Sequence, residues 1–257
     1  MKYQHITLEE EDGLATLTMC RAQRRNSLSE DHLRELLNAI HIVAEGDARG
    51  IVLAAEGPVF CSGHDFDDMH GRNLDEMKQL LEVCSELMQL LQRIPQPVIA
   101  QVEGLATAAG CQLVASCDLA VAGESAQFQT PGGHRGWFCH TPGVALVRAV
   151  GRKRALEMLL TGDPIDAQTA ADWGLVNRVV PDPDVAIETR ALLQSATRGS
   201  SYAKAKGKQA FYRQVDLDVA GAYALATDVS ATTSQSRDGQ ETIISFVEKR
   251  GSKYVGS

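Results

Sequence analysis

Polar and apolar residues alternate at the start of the chain in the pattern of two short β-strands. We predict strands over residues 3–8 and 14–19, separated by a polar turn at residues 9–13. The spacing then changes to that of an amphipathic helix, which begins after Ser27 and Ser29, two N-cap candidates followed by acidic residues. Its apolar face consists of Leu33, Leu36, Leu37, Ile40 and Val43.

Strand and helix patterns continue to alternate up to about residue 125. An apolar run predicts a strand at 51–55, and a second amphipathic helix covers 74–91 before two prolines end it. Short strands at 98–102 and 119–121 flank a helix of small residues at 108–116. This alternation predicts an α/β fold.

The second half of the chain is mainly helical. We predict helices at 152–160, 167–173 and 185–197 and further polar helices from about residue 201, the last of them at 242–249. Helices of this kind pack either on a neighbouring molecule or on the chain's own core, and the pattern leaves both open.

Composition narrows the classes of function. A net charge of −8 argues against nucleic acid as the main partner, because phosphate binding needs a basic face. No apolar run approaches the ~20 residues that span a bilayer, so no membrane partner is expected. The first residues show no signal or transit pattern, which predicts a cytoplasmic location. The six cysteines form no CxxC pair and are expected to be reduced and mostly buried.

Two turns carry the candidate chemistry. The segment 102–113 leads from an apolar run through Gly104 into small residues at the start of a helix, where amide N–H groups stay uncovered. The segment 60–66 forms a similar turn after the strand at 51–55. Two such turns can direct two N–H donors at one carbonyl oxygen, which is an oxyanion hole.

Six segments, taken in order, resemble the crotonase (enoyl-CoA hydratase/isomerase) superfamily over essentially the whole chain. They lie at 21–29, 57–69, 102–122, 148–160, 161–163 and 167–180. The loop at 130–146 further resembles the branch called enoyl-CoA hydratase domain-containing protein 3. The resemblance implies a spiral of β-β-α turns in residues 1–200 and a helical trimerisation region in residues 201–257. Trimers that pair into hexamers are also implied.

The resemblance implies a CoA thioester as the substrate, with no separate cofactor and no metal. The oxyanion donors would be the amides of His64 and Ala109. The residues expected along the CoA and thioester are Arg24, Arg25, Asn26, Leu28, Ser62, Gly63, Asp65, Phe66, Ala108, Pro131 and Gly132.

The chain departs from the hydratases of this superfamily at both catalytic glutamates. The corresponding residues are Gln112 and Gly132, and neither transfers a proton at neutral pH. His140, His134 and Cys139 lie in the adjacent loop and are candidate replacements, with His140 first. Structural roles are the competing interpretation of all three.

Two hypotheses follow. In the first, the protein is an enzyme that stabilises the enolate of an acyl- or enoyl-CoA in its oxyanion hole. The reaction is then isomerisation, hydration of an unusual substrate or hydrolysis, with Gln112 and His140 as catalytic candidates. In the second, it is a pseudoenzyme that binds CoA esters or partner subunits without turnover. A further cluster consists of His64, Asp65, Asp67, Asp68 and His70. It matches no standard metal spacing, and Asp65 and Asp67 are expected to cap the helix after the turn.

Overall fold

The computed structural model describes residues 2–257, in which strands and helices alternate up to residue 180 and only helices follow. The strands are β1 Ile6–Glu11, β2 Leu14–Met19, β3 Ile51–Ala55, β4 Val98–Val102, β5 Leu105–Thr107, β6 Leu119–Gly123, β7 Gln127–Gln129, β8 Ile165–Asp166 and β9 Arg178–Val180. The helices are α1 Glu30–Glu45, α2 Phe66–Met69, α3 Leu74–Arg93, α4 Ala109–Ser116, α5 His140–Val150, α6 Arg152–Thr161, α7 Ala167–Trp173, α8 Val185–Ala196, α9 Ser201–Gln214, α10 Val219–Ser234 and α11 Arg237–Val247.

Two sheets share the strands. The larger has the order β1-β2-β3-β4-β6-β9 and is parallel except for the β1–β2 pair, and the smaller has the order β5-β7-β8. Successive turns of the chain place one strand in each sheet before a helix, as in β4-β5-α4. This arrangement confirms the predicted α/β class and the spiral of β-β-α turns.

The sequence pattern predicts the long elements well and the short ones poorly. β2, β3 and β4 agree with the prediction residue for residue. β5, β7 and β9 were not predicted, because three residues carry no measurable period. Helix α5 was also missed, since its first half lies in the segment 130–146 that we interpreted as a loop.

The predicted first strand and turn are wrong by about three residues. β1 continues to Glu11, and Glu11 pairs with Leu14 across a two-residue turn. Asp12 and Gly13 both have positive φ, 54° and 70°. A hairpin turn with two left-handed residues matches the twist of its strands, so Asp-Gly sets the register and the acidic residues before it remain in the strand.

Helix α9 docks on the chain's own core through one largely buried lysine. Lys208 Nζ donates to the carbonyl oxygens of Leu91 (2.6 Å) and Gln96 (2.7 Å) and lies 2.7 Å from Asp118 Oδ2. The Tyr212 hydroxyl donates to the other Asp118 oxygen at 2.9 Å. Of the two arrangements that the sequence left open, packing on the same chain is therefore present for α9.

All six cysteines are free, and five of them are buried, as predicted. Within residues 2–257, no helix is both long and apolar enough to cross a membrane.

Candidate functional site

The turn at residues 60–66 is held against the segment before α1 by two backbone hydrogen bonds. Leu28 N donates to Gly63 O at 2.8 Å, and Asp65 N donates to Leu28 O at 3.1 Å. The amide of His64, between them, donates no hydrogen bond to any residue in 2–257. Gly63 has a φ of 88°, and a β-carbon there would lie 3.2 Å from Ala109 N. A glycine at position 63 thus leaves the amide of Ala109 uncovered.

Helix α4 begins beside this turn. Ala108 has a φ of 52°, and its N–H donates to Gln129 O at 2.9 Å. The next amide, that of Ala109, donates no hydrogen bond within the described chain. A β-carbon on Gly110 would lie only 2.2 Å from Cys61 O, so α4 packs directly on the backbone of the turn. Unpaired amides at a helix N-terminus favour a ligand oxygen that carries negative charge.

Both amides belong to residues that border one cavity of about 960 Å³. Nine of the predicted site residues line it: Arg25, Ser62, His64, Phe66, Ala108, Ala109, Pro131, Gly132 and His140. The other six, Arg24, Asn26, Leu28, Gly63, Asp65 and Gln112, lie outside its lining. The structure therefore brings the two predicted turns and the loop after β7 together.

Asp65 is occupied by an ion-pair network under the turn. Its carboxylate accepts from Arg21 Nη2 (2.9 Å), Arg24 Nη2 (2.9 Å) and Ser27 Oγ (3.1 Å). Burial raises the pKa of Asp65, but the hydrogen bonds from Arg24, Arg21 and Ser27 outweigh it and lower that pKa to about 2. The carboxylate also caps α2 by accepting from Asp67 N, as predicted. Its contacts are those of a structural anchor for the turn.

Asn26 is fully buried and fixes the neighbouring segment. Its Oδ1 accepts from Arg21 N, and its Nδ2 donates to Glu56 O and Val59 O at 2.9 and 2.8 Å. Arg24, also expected along the CoA, pairs with Asp65 and Asp67 and is half-exposed. Side-chain direction, which decides these roles, is not encoded in a motif's spacing.

The two positions of the hydratase glutamates differ in their surroundings. Gln112 lies in the first turns of α4, is buried, and its Oε1 has no hydrogen-bond partner within residues 2–257. Gly132 lies in a 3₁₀ turn, Pro131–His134, and borders the cavity. A β-carbon there would meet the backbone and sulfur of the loop that follows, 2.8 Å from Cys139 N and from Cys139 Sγ.

The three titratable candidates in the loop have different surroundings. Cys139 is buried, and burial raises the pKa of its thiol, so the thiolate is disfavoured. His134 Nε2 lies 3.7 Å from Asp163 Oδ1. The side chain of His140 is exposed and has no hydrogen-bond partner among the described residues, and its ring lies 5.1 Å from that of Phe138. His140 is thus the most available of the three.

Several cavity residues were missed from the sequence. Two aromatic side chains of the wall, Trp137 and Phe138, are among them. The adjacent aromatics of the loop were the available signal. Residues 2–257 hold no group of three His, Cys, Asp or Glu side chains placed to bind a metal.

The chain is similar to known proteins over nearly its whole length. The family model described as enoyl-CoA hydratase/isomerase matches residues 9–257. Human enoyl-CoA hydratase domain-containing protein 3, mitochondrial, is 44% identical over 241 residues, covering 93% of this chain and 80% of that protein. A probable enoyl-CoA hydratase of Rhodobacter capsulatus is 35% identical over 257 residues, with full coverage of both.

Solved structures show the same similarity in the fold. The crystal structure of the human domain-containing protein 3 superposes with a TM-score of 0.94 at 42% identity, covering 97% of this chain and 100% of that one. An enoyl-CoA hydratase from Mycobacterium smegmatis gives a TM-score of 0.94 at 43% identity, covering 97% and 98%.

The prediction of a cytoplasmic location is contradicted by these relatives. The rat, mouse, Xenopus and human proteins, each 44% identical, are all named as mitochondrial. That prediction relied only on the pattern of the first residues, and the predictions of the fold and of the site do not depend on it. The fold, the ordered motifs and the family match lead to one assignment: the chain belongs to the enoyl-CoA hydratase/isomerase family.

Proposed function

We propose that the protein binds an acyl- or enoyl-CoA thioester and stabilises its enolate. The thioester oxygen would accept hydrogen bonds from the amides of His64 and Ala109. The observation that carries this proposal is that both amides are unpaired within residues 2–257 and belong to residues bordering one cavity. Loss of a single oxyanion donor typically costs a factor of about 10²–10³ in rate. No cofactor or metal enters this chemistry.

The reaction that these groups favour is a proton shift along the acyl chain. Standard hydration uses two carboxylates. In this chain the first position holds the amide of Gln112, and the second, Gly132, has no side chain. His140 remains as one exposed base beside the cavity. A single imidazole can remove a proton from the α-carbon while the electron pair moves onto the thioester oxygen, and can return that proton to the γ-carbon. The double bond moves and no water is consumed.

The experiment begins with binding. Calorimetry with a short acyl-CoA should show saturable binding, and absence of binding to any of several CoA thioesters would overturn the proposal. A 3-enoyl-CoA should then be converted to the 2-enoyl-CoA, with a loss of about 10²–10⁴ in kcat for His140→Gln. His41→Gln, an exposed histidine of α1, is the matched control and should retain the rate.

A second candidate, a pseudoenzyme that binds CoA esters without turnover, is favoured by the path of the loop. The room for a side chain at Gly132 is filled by the backbone of the Trp137 and Cys139 region. This candidate predicts the same binding but no product from any enoyl-, hydroxyacyl- or acyl-CoA. Turnover that depends on His140 would eliminate it.

We further infer that the protein assembles as a trimer or as a pair of trimers. Helices α9 to α11 expose large apolar side chains in this single chain, and such surfaces mark association sites. Among them are Phe211, Val219, Tyr223, Phe246 and Val247, which are 55–84% exposed. Sedimentation analysis should give three or six times the mass of one chain. A monomer at micromolar concentration would contradict this inference.

A further inference from the structure

One residue of the oxyanion turn differs in kind from the others. Ala108, Ala109 and Gly63 have small side chains or none, whereas His64 carries an imidazole. Both ring nitrogens of His64 are buried and have no hydrogen-bond partner among residues 2–257. Unpaired buried polar atoms destabilise a fold, and in native proteins each one calls for an explanation such as a catalytic role.

Few charged groups act on this ring. His64 pairs with Leu28 in an isolated β-bridge, and Asp68 on α2 is the nearby carboxylate. Asp68 is already engaged, since its Oδ1 lies 3.0 Å from Arg72 Nη2 and its Oδ2 accepts from Glu30 N at 2.9 Å.

The charge state of the ring follows from its burial. Burial lowers the pKa of His64, although the Leu28 backbone and the Asp68 carboxylate act in the opposite direction. The other charged or titratable side chains that border the same cavity are Arg25, His134, Arg135, Cys139 and His140. Burial therefore favours the uncharged form of the imidazole.

A bound oxyanion changes this balance. The negative charge would lie at the amide of His64 itself, so covalent geometry keeps the ring within a few ångströms of it. Charges attract more strongly in a site that excludes water than in bulk solvent, and an opposite charge nearby favours the protonated form of an imidazole.

Building on the proposed function, we propose that the imidazole of His64 balances the charge of the oxyanion hole by taking up a proton as negative charge forms on the ligand oxygen. When a β-ketoacyl thioester forms its enolate, the α-carbon C–H bond breaks and the electron pair moves onto the oxygen. One proton is then bound by a ring nitrogen of His64. Less than one proton per ligand is released to the solvent.

The test counts protons. Acetoacetyl-CoA, whose enolate absorbs in the near ultraviolet, is titrated into the whole protein at neutral pH in two buffers that differ in ionisation enthalpy. His64→Gln keeps the backbone donor and removes the titrating ring. It should release up to one more proton per bound enolate than the wild type and bind the enolate about tenfold more weakly, the change of one pKa unit. His70→Gln, an exposed histidine six residues further on, should match the wild type.

Each outcome decides. Equal proton release by the wild type and His64→Gln overturns the inference while leaving thioester binding intact. Absence of binding to the wild type overturns the proposed function and this inference together. Should His64→Gln fail to fold, wild-type protein labelled with ¹³C at histidine gives the answer instead. Among its seven histidine signals, that of His64 must move to the charged position on addition of ligand. The His140→Gln variant tells the His140 signal apart, and an unchanged His64 signal refutes the role.

Discussion

A β-carbon on Gly132 would lie 2.5 Å from the carbonyl oxygen of Trp137. Real β-carbons essentially never approach another atom this closely, and backbone cannot yield as the end of a flexible side chain can. The loop after the 3₁₀ turn therefore takes a path that is compatible with glycine alone. The path of this loop therefore excludes a carboxylate side chain at position 132.

We expect that restoring both carboxylates fails to create a hydratase. In the double variant Gln112→Glu and Gly132→Glu, the second substitution forces the loop away and lowers the free energy of unfolding by about 1–3 kcal/mol. Urea unfolding and a crotonyl-CoA hydration assay check both expectations. Gly136→Ala is the control in the same loop, because its added methyl meets nothing within 4 Å. A double variant with wild-type stability and new hydration activity would contradict the steric argument.

Gly63→Ala should abolish ligand binding through a single methyl group. The new β-carbon would lie 3.2 Å from Ala109 N and 2.9 Å from the Ala108 β-carbon, over the proposed donor. Gly71→Ala is a matched control, since its φ of 83° is close to the 88° of Gly63 and its surroundings are open. Both variants pay a strain of about 1–2 kcal/mol for a non-glycine residue with positive φ, but only Gly63→Ala should lose affinity in acyl-CoA calorimetry. Equal affinities would show that the Ala109 amide is not the donor.

The sequence predicted the parts of the fold that depend on repeated local signals. Helix α1 has a serine cap at Ser29 and a continuous apolar face. Strand β3 is uniformly apolar, and β4 is apolar except for Gln101, because both faces of a parallel sheet are buried. The strands of the smaller sheet have no such signal. They are two or three residues long and are stabilised by pairing with each other, as in Ala106 and Phe128.

The candidate site was predictable in its backbone and less so in its side chains. Turns rich in small residues indicated that amides stay uncovered, and the resemblance to the crotonase superfamily then assigned the two donors to His64 and Ala109. Which way a polar side chain points depends on partners distant in sequence. Asn26 is directed to Glu56 and Val59, and Asp65 is directed to two arginines, so these residues hold the turn instead of lining the cavity.

The network at Asp65 should make stability depend on pH in the acid range. The folded-state pKa, about 2, is below the ordinary value of about 3.9, so the stabilisation is complete above roughly pH 4 and is lost as the pH falls through 2. Asp65→Asn should cost about 2 kcal/mol at pH 7 and progressively less below pH 4. Asp67→Asn, whose side chain is 80% exposed, is the control and should change stability little. Denaturant unfolding at several pH values measures both, and a deficit that does not change between pH 7 and pH 2.5 would argue against the ion pairs as its source.

Lys208→Met should be among the most destabilising single changes outside the cavity. Removing this ammonium leaves the carboxylate of Asp118 largely buried without its ion partner, and the loss of one member of a buried pair typically costs about 3–5 kcal/mol. Burial already raises the pKa of Asp118 against the effect of Lys208, so without the lysine the neutral carboxyl is favoured further. The deficit should therefore shrink as the pH falls and Asp118 takes up a proton. Urea unfolding at pH 7 and pH 5 tests this, with Lys206→Met on the exposed side of α9 as the control. A loss below about 1 kcal/mol at pH 7, the range of exposed ion pairs, would mean that α9 is held by its apolar contacts and not by this lysine.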